Sequence, residues 1–200
     1  MPIQVLIRQP KKRYFRHFKV KLLSFLIRLN PFYKPPVVTP KPIPPLKPAV
    51  QFFPTNNFSS RKNHPVSVIV LHHTGSLDTE KALEWFQSEV SQSSTHYLIT
   101  REGNIIQLVK DNNRAWHVSS LLRYSPSQKL ANVSLSIHLV GDGHVSFTDI
   151  QNESLMKLCK YLLYKYHLPP SSVHIHSDFE PSKECPSPLF DVQKFRLQLK

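Results

Sequence analysis

The chain has 200 residues, which is enough for one domain with a hydrophobic core and too few for two typical domains. Its formal net charge is +13, but residues 1–62 contain 13 Lys and Arg and no acidic residue, whereas residues 63–200 carry no net charge. The basic charge therefore belongs to a tail. That tail lacks the interleaved aromatic platform of a nucleic-acid reader, so we expect no specific nucleic-acid partner.

The tail has two parts with different compositions. Residues 1–30 combine Lys and Arg clusters with a short apolar run, "LLSFLIRL" (Leu22–Leu29), which is far below the ~20 residues of a membrane-spanning helix. This segment could be signal-like, could lie on an anionic membrane surface, or could be a disordered basic tail. Residues 31–61 are rich in proline and favour an extended, semi-rigid linker.

The first half of residues 62–200 predicts a strand, a helix and a hairpin. Val66–His73 is a β-branched apolar run of strand length. Lys81–Val90 has apolar residues at helical spacing, and Asp78 or Thr79 can cap it. The segments "HYLIT" and "NIIQLV" flank "REG", a pattern typical of a β-hairpin.

The second half predicts a strand over Val133–Gly141 and a long helix ending near His167, before two prolines. Thr148 and Gln151 have the spacing of a capping box at the start of that helix. A short strand, "SVHIH", and a closing helix within Leu189–Leu199 follow. The predicted fold is α/β: a central mixed β-sheet flanked by helices, preceded by an extended basic, Pro-rich segment.

Histidines stand at the ends of two predicted strands. His72 and His73 end the first strand, and His174 and His176 end the last. A catalytic zinc site needs three protein ligands, which two imidazoles and the thiolate of Cys185 could supply. The spacing alone leaves open that these are ordinary core or surface histidines, because no compact motif such as H-E-x-x-H is present. The other cysteine, Cys159, falls in an apolar helical pattern and is expected in the core.

Six segments occur in one order: "VIVLHHTGS", "STHYLITREGNIIQLV", "NRAWHVSS", "SLSIHLVGDG", "FTDIQ" and "VHIHSDFEPSKECPSPLFD". This series resembles the type-2 N-acetylmuramoyl-L-alanine amidases, zinc enzymes related to phage lysozyme-type amidases and peptidoglycan-recognition proteins. The resemblance covers about residues 64–198 and none of the basic tail. It predicts a zinc amidase domain at residues 62–200.

The resemblance implies roles for individual residues. The family's zinc ligands match His72, His176 and Cys185, with Zn²⁺ as the cofactor, and His174 is a neighbour rather than a ligand. The family's catalytic lysine, two residues before the third ligand, matches Lys183. Its charge is suited to stabilise the oxyanion that forms when an amide carbonyl becomes tetrahedral.

The sequence departs from the family at the general base. Many members carry a glutamate where this chain has His138, and phage-type members carry a tyrosine where it has Thr95. His138 could act as the catalytic proton acceptor, because imidazole titrates near neutral pH, or could only pack or bind substrate. His117, in "RAWH", matches a loop beside the family's substrate cleft, and we predict His117 and Thr95 as substrate-binding residues.

The resemblance implies hydrolysis of the amide bond between N-acetylmuramic acid and L-alanine in peptidoglycan or muropeptides. The alternative is a peptidoglycan-binding module that has lost hydrolysis; the missing base favours it, and the retained Lys183 and Cys185 oppose it. We predict a monomer in the bacterial cell envelope, with the basic N-terminal segment as a possible contact to the membrane surface. A cytoplasmic location is the alternative.

Overall fold

The computed structural model describes residues 43–199. The described residues from Pro44 onward form one compact unit. The predicted membrane-associating or signal-like segment, residues 1–30, and the linker up to residue 42 lie outside the described residues. Within residues 43–199, no helix has both the length and the apolar character needed to cross a membrane.

The unit that begins at Pro44 contains ten strands, four α-helices and three short 3₁₀ turns. The strands are β1 Gln51–Phe52, β2 Phe58–Ser60, β3 Val68–His73, β4 Tyr97–Ile99, β5 Ile105–Gln107, β6 Asn113–Ala115, β7 Arg123–Ser125, β8 Gln128–Lys129, β9 Ser134–Leu139 and β10 Val173–Ile175. The helices are α1 Thr79–Gln87, α2 Leu130–Val133, α3 Asp149–Tyr166 and α4 Val192–Gln198, and the 3₁₀ turns are Glu89–Ser91, Pro170–Ser172 and His176–Asp178.

Six strands form the central sheet in the order β1-β5-β4-β9-β3-β10. Strands β4, β9, β3 and β10 are parallel to one another, and β5 is antiparallel to β4 and parallel to β1. The predicted mixed sheet and the predicted hairpin are both confirmed. Two small antiparallel pairs, β2–β6 and β7–β8, lie outside this sheet.

The folded domain begins earlier than the predicted boundary at residue 62. Strand β1 falls within the predicted linker, yet it pairs with β5 through Gln51 and Ile106. Thr55 donates a hydrogen bond of 2.6 Å to the carbonyl of Phe86, and Asn57 binds the end of helix α1 in the same way. These contacts join the segment before residue 62 to the central sheet and to α1, because Thr55 and Asn57 donate to carbonyls at the C-terminal end of that helix.

The two faces of strand β3 have different neighbours. Ile69 and Leu71 are fully buried in the main core, together with the apolar stripe of helix α3. Val68 and Val70, on the other face, pack with helix α2. Because side chains alternate along a strand, His72 lies on the face of Val68 and Val70, away from α3.

The observed helix ends can be compared with those predicted from local sequence signals. The Thr148 hydroxyl accepts from the Gln151 amide, Gln151 binds back, and the predicted capping box of α3 is confirmed. Asp78 caps α1, but that helix ends at Gln87 rather than at Val90. Val90 lies in the following 3₁₀ turn with 91% of its surface exposed, so its spacing with Phe86 does not reflect burial.

A buried carboxylate joins helix α3 to the loop after β5. Asp111 accepts hydrogen bonds from Lys165 at 2.8 Å, Tyr166 at 2.6 Å and Tyr97 at 2.6 Å. Burial alone would raise the pKa of Asp111, but these three donors outweigh it and keep that pKa below its ordinary value of 3.8. The carboxylate therefore stabilises the fold while it is ionised.

We expect Asp111→Asn to lower the free energy of unfolding at pH 7 by about 2–3 kcal/mol, because charge-assisted hydrogen bonds are lost. A depressed folded-state pKa gives stability that is present above the unfolded pKa and is lost as pH falls through the folded pKa. The difference in unfolding free energy between wild type and variant should therefore become smaller in acid, as measured by urea unfolding at pH 7 and near pH 3. Glu153→Gln, which breaks the exposed pair with Lys157, is the control and should change little. An equal gap at both pH values would contradict this role for Asp111.

Candidate metal centre

The register of three parallel strands brings three histidines together. His72 pairs directly with His138 across β3 and β9. On the other side of β3, Ile175 pairs with Leu71, so His176 lies level with His72. The imidazole of His72 stacks on that of His138 with ring centroids 4.4 Å apart, and the ring of His176 is 4.6 Å away. The carboxyl ends of parallel strands thus form the site, as is usual in open α/β sheets.

Cys185 reaches this cluster from the loop after β10. The amide of Ser177 donates to the carbonyl of Cys185 at 3.1 Å, which fastens the loop beside His176. The thiol sulfur lies 3.7 Å from Nδ1 of His72. One donor atom each from His72, His176 and Cys185 falls within 4.8 Å of the other two, and no other such group occurs among residues 43–199.

The spacing of these donors fits a small tetrahedral metal ion. Zinc bonds of ~2.0–2.3 Å to nitrogen and sulfur place neighbouring donors about 3.5 Å apart, close to the distance between Cys185 and His72. Two imidazoles and one thiol are also the donor types that zinc prefers. The residues present therefore fit the metal ion that the resemblance implies.

The electrostatics of the cluster keep its imidazoles neutral. Burial, then the neighbouring imidazoles of His138 and His117, lower the pKa of His72 well below its ordinary value of 6.5. Burial also lowers the pKa of His176, although Glu180 opposes this effect. Neutral imidazole is the form that binds metal, so these two side chains need not lose a proton at pH 7.

Cys185 differs from the histidines in this respect. Burial raises the pKa of its thiol to about 11, against the opposing effect of the Lys183 ammonium. The thiol must therefore release its proton when a metal binds.

His117 is the hydrogen-bond partner of His72. Its Nδ1 lies 3.0 Å from Nε2 of His72, and its Nε2 lies 2.8 Å from the hydroxyl of Ser134. With Nε2 of His72 held in this way, Nδ1 is the atom that faces Cys185. His117 is buried and both of its nitrogens are engaged, so its observed contacts are with His72 and Ser134, and its predicted contact with substrate stays a prediction.

His138 is part of the cluster without being one of its three candidate ligands. It is only 7% exposed, and its Nδ1 has no hydrogen-bond partner. Burial, then the nearby His176, lower the pKa of His138 to about 3. Imidazole with such a pKa is a weak proton acceptor in the metal-free protein, which argues against its role as general base.

Thr95 lies deeper than its predicted role requires. It is fully buried, and its hydroxyl lies 3.0 Å from the carbonyl of Tyr97 and 3.2 Å from that of Ser136. These contacts support a structural role instead of the predicted contact with substrate. Lys183, by contrast, is exposed on the loop that carries Cys185, where its side chain is free to reach a bound substrate.

Two other histidines next to the candidate ligands are directed elsewhere. His174 binds the carboxylate of Asp178 at 3.0 Å, and Arg196 binds the same oxygen, so this group braces β10 against helix α4. Nδ1 of His73 accepts a hydrogen bond from the amide of Gly75. Neither histidine joins the three-donor group.

Sequence reasoning missed a buried polar layer beneath the cluster. Ser136 contacts Nδ1 of His96 through its amide and its hydroxyl, and Arg61 binds the carbonyl of Ser134. Arg61 is buried, and its guanidinium also donates hydrogen bonds to three further backbone carbonyls. Burial lowers the pKa of this guanidinium to about 10. The segment "SLSIH" contained a signal for this layer, because Ser134, Ser136 and His138 are spaced two apart and therefore share one face of the strand.

The fold and the cluster define a class of protein: an α/β domain whose strand ends present a histidine–histidine–cysteine site of the kind used by metal-dependent hydrolases. The family model for N-acetylmuramoyl-L-alanine amidase matches residues 62–188. The chain therefore belongs to the N-acetylmuramoyl-L-alanine amidase family. The resemblance and the enzyme class predicted from the sequence are confirmed.

Named relatives agree with this assignment. The 1,6-anhydro-N-acetylmuramyl-L-alanine amidase AmpD of Escherichia coli K12 is 29% identical over 125 residues, which is 62% of this chain and 68% of AmpD. The N-acetylmuramoyl-L-alanine amidase AmiD of the same organism is 28% identical over 150 residues, or 66% of this chain and 53% of AmiD. This chain thus matches about two thirds of AmpD and about half of AmiD.

Solved structures show the same fold. A selenomethionine derivative of AmpD superposes with a TM-score of 0.65 and 23% identity, covering 76% of this chain and 94% of that one. E. coli AmiD in complex with its substrate, anhydro-N-acetylmuramic acid-L-Ala-D-γ-Glu-L-Lys, superposes with a TM-score of 0.58 and 28% identity, covering 70% and 58%. The predicted fold class is confirmed.

Proposed function

We propose that this protein hydrolyses the amide bond between N-acetylmuramic acid and L-alanine in muropeptides or peptidoglycan, with a zinc ion at His72, His176 and Cys185. The observation that carries this proposal is the convergence of these three donors within 4.8 Å in a chain of the amidase family. Bound zinc would supply Lewis-acid activation of water and of the scissile carbonyl. The protein's own residues supply the rest.

Lys183 is proposed to stabilise the negative charge that develops on the carbonyl oxygen. Its ammonium is close enough to the site to oppose the raised pKa of Cys185 and to lower the pKa of His176. A positive charge at this place interacts more strongly with the tetrahedral transition state than with the neutral amide, which is the requirement for catalysis.

His117 and His138 are proposed to have different tasks. His117 orients His72 by accepting a hydrogen bond from Nε2 of that ring, and it donates a hydrogen bond from its own Nε2 to the Ser134 hydroxyl. His138 stacks on His72 and presents an unpartnered Nδ1, which can bind the attacking water or a substrate group. We assign His138 a binding role before a proton-accepting one, because its pKa of about 3 makes it a weak base.

The direct test is hydrolysis of a defined muropeptide. Zinc-loaded protein should release the free peptide from anhydro-N-acetylmuramic acid-L-Ala-D-γ-Glu-L-Lys, and a chelator should abolish release until zinc is restored. Chromatography with mass spectrometry detects both products. Intact substrate after incubation with zinc-loaded protein would refute the amidase proposal.

The second candidate function, a peptidoglycan-binding module without hydrolysis, is favoured by one observation. The strand position of the family's usual base is occupied by the weakly basic His138. This alternative predicts that the zinc-loaded protein binds the muropeptide in a calorimetric titration but leaves it uncut. The hydrolysis test therefore separates the two functions.

We further propose a location in the bacterial cell envelope, with the basic N-terminal segment at the membrane surface, and a monomeric state. Cell fractionation of the full chain and of a version that starts at Pro44 tests the location, since the folded unit begins there. Both forms in the cytoplasmic fraction would contradict the envelope proposal. Size-exclusion chromatography with light scattering tests the monomer.

A further inference from the structure

Glu180 is the acidic side chain nearest to a candidate metal ligand. Its Oε2 lies 3.2 Å from Nε2 of His176. Nε2 is buried and forms no hydrogen bond with any other described residue. Glu180 is partly exposed, and its carboxylate is within hydrogen-bond distance of the ring.

The backbone holds Glu180 in this place. The amide of Glu180 donates to the carbonyl of His176 at 3.1 Å, and the amide of Lys183 donates to the carbonyl of Glu180 at 2.9 Å. The turn therefore fixes the Cα of Glu180 one helical turn from His176, so its carboxylate can reach back to the ring. The shape of the loop therefore favours the contact between Glu180 and His176.

The same arrangement is already present at the other histidine. His72 directs Nδ1 toward Cys185, and His117 engages its Nε2. If His176 follows the same pattern, Glu180 takes the Nε2 proton and Nδ1 is free for the metal. Metal-binding histidines commonly donate their second ring N–H to a carboxylate or carbonyl, which fixes the tautomer and makes the ligand more basic.

We propose that Glu180 is a positioning residue for the metal site: its carboxylate accepts the Nε2 proton of His176 and so orients Nδ1 toward the ion. This inference rests on the proposed zinc site at His72, His176 and Cys185. Glu180 itself is not one of the three candidate ligands.

The test measures zinc affinity of the full chain by competition with a chromophoric chelator. Glu180→Ala should weaken zinc binding about 10–100-fold. Glu180→Gln should lose much less, since its amide oxygen still accepts from Nε2. Glu184→Gln removes an exposed carboxylate from the same loop and should bind zinc like wild type.

Cobalt substitution gives an independent readout. In Glu180→Ala, the ligand-field bands of bound Co²⁺ should shift because His176 is no longer oriented, while the thiolate charge-transfer band of Cys185 stays. Glu180→Gln should restore the wild-type spectrum. Unchanged zinc affinity and spectrum in Glu180→Ala would overturn the role of Glu180 alone. A wild-type protein that binds no zinc would overturn the metal site itself, and this inference with it.

Discussion

Cys185→Ala should lose zinc and amidase activity together. Zinc bound by four ligands gains ~10–16 kcal/mol in small protein sites, so one ligand contributes about 3 kcal/mol, which is at least about 100-fold in affinity. Cys185 contributes the thiolate among the three candidate ligands, and no other donor joins that group among the described residues. We expect metal analysis of the dialysed variant to show less than one zinc per chain, and muropeptide hydrolysis to fall in proportion.

The chain contains a matched control for this experiment. Cys159 lies on helix α3 and is fully buried in the main core, and burial strongly raises the pKa of its thiol. Cys159→Ala should cost about 1 kcal/mol of folding free energy through lost packing, with zinc content and activity unchanged. A Cys185→Ala protein that folds, retains full zinc and hydrolyses muropeptide would exclude the proposed ligand set.

Lys183→Ala should separate zinc binding from catalysis. Removing one group that stabilises a developing oxyanion typically lowers kcat by about 10²–10³. Lys183 is not one of the three candidate ligands, so zinc content should remain at the wild-type level. We expect KM to change far less than kcat, because the charge acts mainly on the transition state.

Lys160 offers the comparison for Lys183, because it is an exposed lysine on helix α3 and outside the loop of Cys185. Lys160→Ala should hydrolyse muropeptide at the wild-type rate. Lys183→Arg keeps a positive charge and should recover part of the lost activity. A Lys183→Ala enzyme with undiminished kcat would show that another group stabilises the oxyanion.

The order of the elements and the start of helix α3 could be predicted because their causes are local. Thr148 and Gln151 satisfy each other's backbone groups within four residues, so the capping box is visible without the rest of the fold. The alternation in Val68–His73 likewise shows which side chains share a face.

The candidate site could be predicted only in part from the sequence, and the rest required the tertiary structure. The residue types and order of "LHH", "HIHSD" and "KECP" marked His72, His176, Lys183 and Cys185 through their resemblance to a family. Spacing along the chain could not show that His138 stacks on His72, because that contact follows from the pairing of β3 with β9. Neither could it show the low pKa of His138, which is caused by burial among other imidazoles.

The sequence by itself determined the α/β class and the start of helix α3, and its resemblance to a family identified the candidate ligands. Only the tertiary structure decided that the domain begins at Pro44, that Thr95 is buried, and that Glu180 faces His176. Strand β1 has two residues and no pattern of its own; it exists because β5 offers a free edge. Burial and side-chain contacts are properties of the whole packed chain, whereas caps and strand alternation arise from neighbouring residues.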